Sequence, residues 1–83
     1  MDRVELFDTL REEAVTVLGV EPAVVTEGAR FKEDLDADSL DLVEFVMALE
    51  ERFEISVPEE DLEGIETIGQ ALTLVLDKLT AHA

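Results

Sequence analysis

The sequence predicts a small all-α domain: a four-helix bundle of three main helices and one short helix, with a long first loop. Apolar residues recur at intervals of three and four in three separate segments, as they do on the buried face of a helix. Residues that favour helix ends flank these segments. Strand-like alternation is confined to residues 54–57, a stretch too short and too isolated to pair. The 83 residues form one domain, residues 1–83.

The first helix is predicted over residues 2–18. Asp2 followed by Glu5 suits a helix N-terminus, and Gly19 supplies a stop signal. The residues of one apolar face keep helical spacing. They are Leu6, Leu10, Ala14, Val17 and Leu18.

Residues 20–37 sustain no apolar period and contain Pro22 and Gly28, so they are predicted to form a long loop. Scattered apolar side chains are expected to hold this loop on the core. They are Val24, Val25, Phe31 and Leu35. A loop of this length in a small domain usually has a function.

Two further helical segments are predicted after residue 57. Pro58 is expected to open a short helical turn that ends near Gly64, with acidic residues in the first turn, as the helix dipole favours. A last helix is predicted to begin at Thr67, which has capping-box spacing with Gln70. Its apolar stripe consists of Ile68, Ala71, Leu72, Val75 and Leu79.

The strongest helix signal, residues 39–53 with Asp38 as the N-cap, has two apolar faces. At about 100° per residue, the two groups lie on opposite sides of the helix. The group expected to face the core is Leu42, Phe45, Val46, Leu49 and Phe53. The group on the other side is Leu40, Val43 and Met47.

A small bundle cannot bury both sides of one helix, so the second group is expected to be at least partly exposed. Glu44, Glu51 and Glu54 are on the same side of the helix as this second group, and Glu50 flanks them. Single exposed apolar residues are common and carry no meaning alone. Three in register with an acidic border indicate instead a surface on which a basic protein partner can dock.

Charge narrows the range of partners. Twenty-two acidic and six basic residues give a formal net charge of −16, which disfavours nucleic acid and anionic membranes and discourages self-association. Acidity serving solubility alone is the plainer alternative. The chain has no cysteine and no run of apolar residues long enough for a membrane span, and its first residues lack the basic and apolar regions expected of a signal peptide. We therefore expect a cytoplasmic monomer that binds neither nucleic acid nor membrane.

The acidic run before residue 40 resembles a calcium loop only in part. Asp34, Asp36 and Asp38 occupy the first, third and fifth positions of an EF-hand pattern. The glycine of the sixth position is replaced by Ser39, and the bidentate glutamate of the twelfth by Phe45. The sequence therefore predicts no metal site here, and a calcium-binding module is a distant alternative.

Ser39 is predicted at the first turn of a helix, where the helix dipole favours an attached anion. Asp38 and Asp41 oppose free anions in water, so a group attached covalently by another enzyme is the consistent option. A nucleophilic serine needs a nearby base, and the only histidine, His82, is in a C-terminal segment expected to fray. No catalytic residue is predicted. An ordinary helix N-terminal serine remains the alternative on these residues alone.

Together these motifs resemble the acyl carrier protein family over nearly the whole chain. The matching residues are Leu18-Gly19-Val20, Asp34-Leu35, Asp38-Ser39-Leu40-Asp41, Val43-Glu44, Val46 to Glu51, Phe53, Val57-Pro58, Thr67-Ile68-Gly69 and Ala71. Asp36 departs from the glycine that many members have, which puts only the backbone freedom of the loop in doubt. Ala37-Asp38 favours an acyl carrier over the peptidyl carrier relatives, which usually have two glycines there.

The resemblance implies a discrete, non-catalytic carrier. Ser39 would receive 4'-phosphopantetheine from coenzyme A through a separate, magnesium-dependent phosphopantetheinyl transferase. Acyl groups would travel as thioesters between synthase, reductase, dehydratase and acyltransferase enzymes with basic patches. Fatty acid biosynthesis is the closest fit. A dedicated carrier for polyketide, siderophore or cell-envelope acylation is the alternative, and an unmodified acidic adaptor is a distant one.

The resemblance also assigns residues to two surfaces. Partner enzymes would contact Asp38, Leu40, Asp41, Val43, Glu44, Met47, Glu50 and Glu51. An acyl chain slipping between the helices would be lined by Leu42, Val46, Leu49, Val57, Leu62, Ile65 and Ala71.

Overall fold

The computed structural model describes residues 2–81, and within them the chain is helical, as predicted. Met1, His82 and Ala83 lie outside the described residues, and with them the expectation about His82. No strand occurs between residues 2 and 81, although one isolated antiparallel bridge joins Arg30 to Thr67. The four α-helices are α1 (Arg3–Leu18), α2 (Ser39–Phe53), α3 (Glu59–Leu62) and α4 (Ile68–Ala81).

The ends of α1 follow from local chemistry. The Asp2 carboxylate accepts a hydrogen bond from the backbone N–H of Glu5 at 2.9 Å, so Asp2 is the N-cap and the helix proper begins at Arg3. Gly19 adopts a left-handed conformation with φ of 70°, and its N–H donates to the Val15 carbonyl at 3.1 Å. The predicted limits of the helix are confirmed to within one residue.

The core forms where α1 packs against both α2 and α4. Each main helix contributes the apolar stripe that its sequence predicts. The fully buried members are Leu6, Leu10 and Ala14 of α1, Phe45, Val46 and Leu49 of α2, and Ile68, Ala71, Leu72 and Val75 of α4. Leu42 and Phe53 of α2 are half-buried and pack against this core.

The first loop contains a 3₁₀ helix, Pro22–Val24, which the sequence does not predict. Val25, Phe31 and Leu35 are buried, as expected. The prediction for Val24 is wrong, because its side chain is 45% exposed. Successive side chains of a 3₁₀ helix diverge by about 120°, so a valine that ends the turn does not share the direction of its buried neighbour.

A reciprocal capping box starts α4. The Thr67 hydroxyl accepts from the N–H of Gln70 at 3.1 Å, and the Gln70 side-chain oxygen accepts from the N–H of Thr67 at 3.0 Å. The predicted pairing is confirmed, with Thr67 as the cap and Ile68 as the first helical residue.

Backbone carbonyls of the first loop satisfy the next two N–H groups of α4. Ile68 donates to the Ala29 carbonyl at 3.0 Å, and Gly69 donates to the Glu27 carbonyl at 2.8 Å. These groups belong to the first turn of the helix, which has no intrahelical acceptors for them. The loop is therefore joined to α4 by main-chain bonds as well as by side chains.

Replacing Gly69 by alanine is expected to destabilise the fold by about 1–2 kcal/mol. A Cβ atom there would lie 2.9 Å from the Glu27 carbonyl oxygen, a backbone atom that cannot turn aside. Overpacking costs roughly 1–3 kcal/mol, partly offset by the higher helix propensity of alanine. Urea denaturation gives the free energy of unfolding.

The control is Gly28→Ala in the first loop, next to Glu27, where a new Cβ has nothing within 4 Å. Equal stability of the two variants would show that the contact between the loop and α4 is not tight.

Candidate functional site

Ser39 is the first residue of α2, and its side chain is exposed. The helix is capped without it. The Asp38 carboxylate accepts from the N–H of Asp41 at 2.9 Å, and the Asp41 carboxylate accepts from the N–H of Asp38 at 3.2 Å. Among the described residues the Ser39 hydroxyl makes no hydrogen bond of its own. The cap therefore does not depend on the Ser39 hydroxyl.

The turn that precedes the site is built on Asp34 and Arg30. The N–H groups of Asp34 and Leu35 donate to the Arg30 carbonyl at 2.9 and 3.1 Å, and the Arg30 N–H donates to the Asp34 carboxylate at 2.8 Å. That last bond is the main reason why the pKa of Asp34 is lowered; partial desolvation opposes it, and the Arg30 guanidinium adds to the lowering. The carboxylate therefore stabilises the turn above its unfolded-state pKa, and this contribution fades as the solution is acidified below it.

Asp36, the position at which the sequence departs from the family pattern, has a φ of 53°. This is the left-handed region, which glycine adopts most easily and which aspartate tolerates better than most residues. The loop therefore takes the conformation without glycine. Across residues 2–81, no three acidic, histidine or cysteine side chains are grouped so that they could hold a metal ion.

The side of α2 opposite its core residues is exposed. Leu40 is 65% and Met47 is 54% exposed, and Val43 is half-buried, so the expected exposure of the three residues is confirmed. Glu44 and Glu51 are exposed beside them. We call this set the α2 outer face; it consists of Leu40, Val43, Glu44, Met47 and Glu51.

Three other acidic residues assigned to docking already bind main-chain N–H groups. Asp38 and Asp41 form the capping box described above. Glu50 is half-buried, and its carboxylate accepts from the N–H of Val57 at 2.9 Å. The capping box has a sequence signal in the three-residue spacing of the two aspartates, whereas the contact of Glu50 over seven residues has none.

A cavity of about 590 Å³ opens beside Ser39, between the end of the first loop and the segment after α3. Its walls combine apolar and charged side chains. They are Phe31, Lys32, Glu33, Ala37, Asp38, Ser39, Leu42, Ile65 and Glu66. Phe31 and Ala37 were not predicted to line a cavity; their only signal is that they are apolar residues in the loop that leads to Ser39.

Of the seven residues predicted to contact an acyl chain, Leu42 and Ile65 line this cavity. The other five lie in or against the core. Val46, Leu49, Val57 and Ala71 are buried, and Leu62 is half-buried. An acyl chain would reach those five only by separating packed side chains, so their role stays a prediction.

Known proteins resemble this chain over most of its length. The family model PP-binding, described as "Phosphopantetheine attachment site", matches residues 8–75. The acyl carrier protein of a Sulfurovum species is 50% identical over 70 residues, which cover 84% of this chain and 93% of that protein. The acyl carrier protein of Rubrobacter xylanophilus is 46% identical over 81 residues, which cover 98% of this chain and all of that protein.

The fold also matches a solved structure, the acyl carrier protein of Enterococcus faecalis, with a TM-score of 0.75 and 33% sequence identity. The match covers 94% of this chain and 99% of that one. Since the family model spans most of the domain and the relatives align almost end to end, the chain belongs to the acyl carrier protein family, whose members are non-catalytic carriers bearing a 4'-phosphopantetheine group.

Proposed function

We propose that Ser39 carries the 4'-phosphopantetheine group. The observation that carries this proposal is the exposed hydroxyl at the first residue of α2, free of the capping box that surrounds it. A phosphodiester there lies at a helix N-terminus, where the dipole favours negative charge. The other serine of the chain, Ser56, is exposed in the segment between α2 and α3 and precedes no helix of comparable length.

The cavity beside Ser39 also suits a flexible arm that carries an acyl chain. Phe31, Ala37, Leu42 and Ile65 offer apolar contacts next to the hydroxyl, and the charged rim remains open to water. The arm supplies the thiol that this cysteine-free chain lacks, and acyl groups are held on that thiol as thioesters. The protein positions the arm and presents it to enzymes.

The pathway that we propose is fatty acid biosynthesis, with the chain acting as a cytoplasmic monomer. Its support is that the similar proteins are named as acyl carrier proteins with no specialised pathway. The net charge of −16 and the absence of cysteine agree with a monomer in a reducing compartment. In the part of the chain that the structure describes, none of the helices is long and apolar enough to span a bilayer.

The direct test is to incubate the purified chain with coenzyme A, magnesium and a broad-specificity phosphopantetheinyl transferase. Intact mass should rise by one phosphopantetheine, and fragment masses should assign the addition to the peptide that contains Ser39. An addition on any other peptide would contradict the proposed site. For the pathway, the modified chain should be loaded and extended by fatty acid synthesis enzymes in preference to polyketide enzymes.

We further propose that the α2 outer face binds basic patches on the transferase and the synthesis enzymes. Its exposed apolar residues lie beside free carboxylates, which is the composition of a small docking surface. Charge complementarity of this kind mainly raises the rate of association.

Glu44→Lys is therefore expected to lower kcat/KM with a cognate synthesis enzyme by about tenfold at low salt, and by less at high salt. The comparison is Glu21→Lys, which makes the same change in net charge at an exposed residue outside α2. Circular dichroism should show unchanged helicity in both variants. Equal losses in the two variants would mean that net charge, and not this surface, governs docking.

A further inference from the structure

Three backbone N–H groups after α2 converge on one residue, Glu50. Its carbonyl accepts from the N–H of Glu54, the left-handed residue that ends the helix, and from the N–H of Ile55 at 3.1 Å. Its carboxylate reaches further and accepts from the N–H of Val57 at 2.9 Å. Glu50 therefore binds nearly every N–H group of the segment 54–57, which we call the α2–α3 loop.

The α2–α3 loop determines where α3 begins. Ile55 and Val57 are buried in the core, and Pro58 leads directly into α3 with no side-chain cap. α3 has only four residues, so it depends on the attachments at its two sides for its position. Before α3 the attachment is the bond from Val57 to Glu50, and within α3 the ion pair of Asp61 with Lys78 spans 3.3 Å.

We propose that Glu50 acts as a positioning residue: its carboxylate fixes the α2–α3 loop and so limits how far α3 can separate from the core to admit an acyl chain. The proposal rests on the proposed carrier function and on the prediction from the sequence that Val57 and Leu62 line the path of that chain. Glu51, the next residue, is exposed and belongs to the α2 outer face. Adjacent glutamates thus have different tasks, one inside the fold and one toward partners.

The physical basis is the hydrogen bond to a partly buried N–H group. Without the Glu50 carboxylate, the N–H of Val57 loses the acceptor that it has in the described structure, and we expect the loop to move so that water can replace it. That movement would draw Val57 out of the core, and α3 would follow because only Pro58 separates them. A glutamine at residue 50 keeps an oxygen acceptor, whereas an alanine does not.

Amide hydrogen exchange of the unmodified chain tests the proposal. In Glu50→Ala, exchange of the Val57 amide should accelerate by about tenfold or more, and the amides of α3 should exchange faster as well. Glu50→Gln should retain most of the protection. Glu51→Ala is the matched control and should leave it unchanged. Normal protection of Val57 in Glu50→Ala would overturn the proposal.

The second measurement uses chains loaded with acyl groups of increasing length. In the parent chain, the amide chemical shifts of Val57 and Ile65 should stop changing once the acyl group exceeds a certain length. In Glu50→Ala they should continue to change at greater lengths, because the loosened α3 admits longer acyl groups. An unchanged length dependence would overturn the link to the acyl chain. If protection at Val57 stays normal in Glu50→Ala as well as in Glu50→Gln, while both variants lose partner turnover, Glu50 acts through its charge and the proposal fails.

The carrier function of Ser39 and the positioning role of Glu50 can be tested separately. If phosphopantetheine does not attach, the carrier function at Ser39 is wrong, which the mass of the modified chain reveals. The exchange experiment needs no attached group, so it reports on Glu50 whether or not Ser39 is the modified residue.

Discussion

A chain in which Ser39 is replaced by alanine is expected to gain no phosphopantetheine at all. The phosphodiester forms on a side-chain oxygen, and alanine has none to offer. Because no other hydroxyl lies at the first residue of a comparable helix beside the α2 outer face, we expect the loss to be complete. Intact mass after incubation with coenzyme A, magnesium and the transferase measures it.

The same substitution is expected to leave the fold unchanged. Asp38 and Asp41 supply both halves of the capping box, and the Ser39 side chain is exposed. Substitutions of exposed side chains that take no part in a cap or a buried contact usually change the free energy of unfolding by less than about 0.5 kcal/mol. A loss of modification together with an unchanged melting temperature would therefore isolate the hydroxyl as the cause.

Ser56→Ala is the matched control, since it removes the only other serine hydroxyl in the chain. It should be modified as fully as the parent chain. Modification that survives Ser39→Ala but disappears in Ser56→Ala would show that Ser56 is the attachment point. The proposed role of the α2 outer face beside the attached group would then also be wrong.

Local signals were enough to predict every main helix and the exposure of one side of α2. Asp2, Asp38 and Thr67 act as caps, and Gly19 ends α1 in the left-handed conformation that the sequence favours. Such features depend on residues three or four positions apart, so they can be found by reading along the chain.

What could not be predicted involves pairs that are distant in sequence. Gly69 was noted only as part of a family motif, yet it contacts the carbonyl of Glu27, 42 residues earlier. The bond from Val57 to Glu50 links a main-chain N–H group to a side chain seven residues away and leaves no periodic pattern. The contrast between Val24 and Val25 has a related cause, because in an aperiodic loop nothing in the sequence says which of two valines faces inward.

In the candidate site, too, some features follow from the local sequence and others depend on contacts between distant residues. The exposed position of Ser39 follows from local rules, since a helix begins there and Asp38 caps it. The cavity next to it combines the first loop with residues 65 and 66, which only the tertiary fold brings together. A main-chain bond makes this contact, because the N–H of Phe31 donates to the Glu66 carbonyl at 2.9 Å.

The second large effect is expected from Phe45→Ala, which should lower the free energy of unfolding by about 3–5 kcal/mol. Phe45 is fully buried, and its ring centroid lies 5.5 Å from that of Phe31 in a tilted arrangement. A chain of 83 residues has a total stability of roughly 4–12 kcal/mol, so much of it would be lost. Urea denaturation followed by circular dichroism measures the change.

The loss should also reach the site. Phe31 links α2 to the end of the first loop. Its ring packs against Phe45 of α2, and its carbonyl accepts from the N–H of Ala37, two residues before Ser39, at 2.8 Å. If its partner ring is removed, the loop should loosen, and the amide of Ala37 should exchange faster with solvent. A variant that is destabilised but keeps full protection at Ala37 would show that the loop does not depend on this aromatic pair.

Leu40→Ala is the informative comparison, since it shortens a large apolar side chain on the same helix. Leu40 is 65% exposed, so its removal should cost less than about 0.5 kcal/mol of stability and yet weaken docking of a synthesis enzyme. Phe45→Leu should cost less than Phe45→Ala because most of the buried volume is retained. Opposite responses of stability and docking at these two residues would separate the two faces of α2. A Leu40→Ala variant as unstable as Phe45→Ala would mean that the outer face is packed against the protein itself and is not available to a partner.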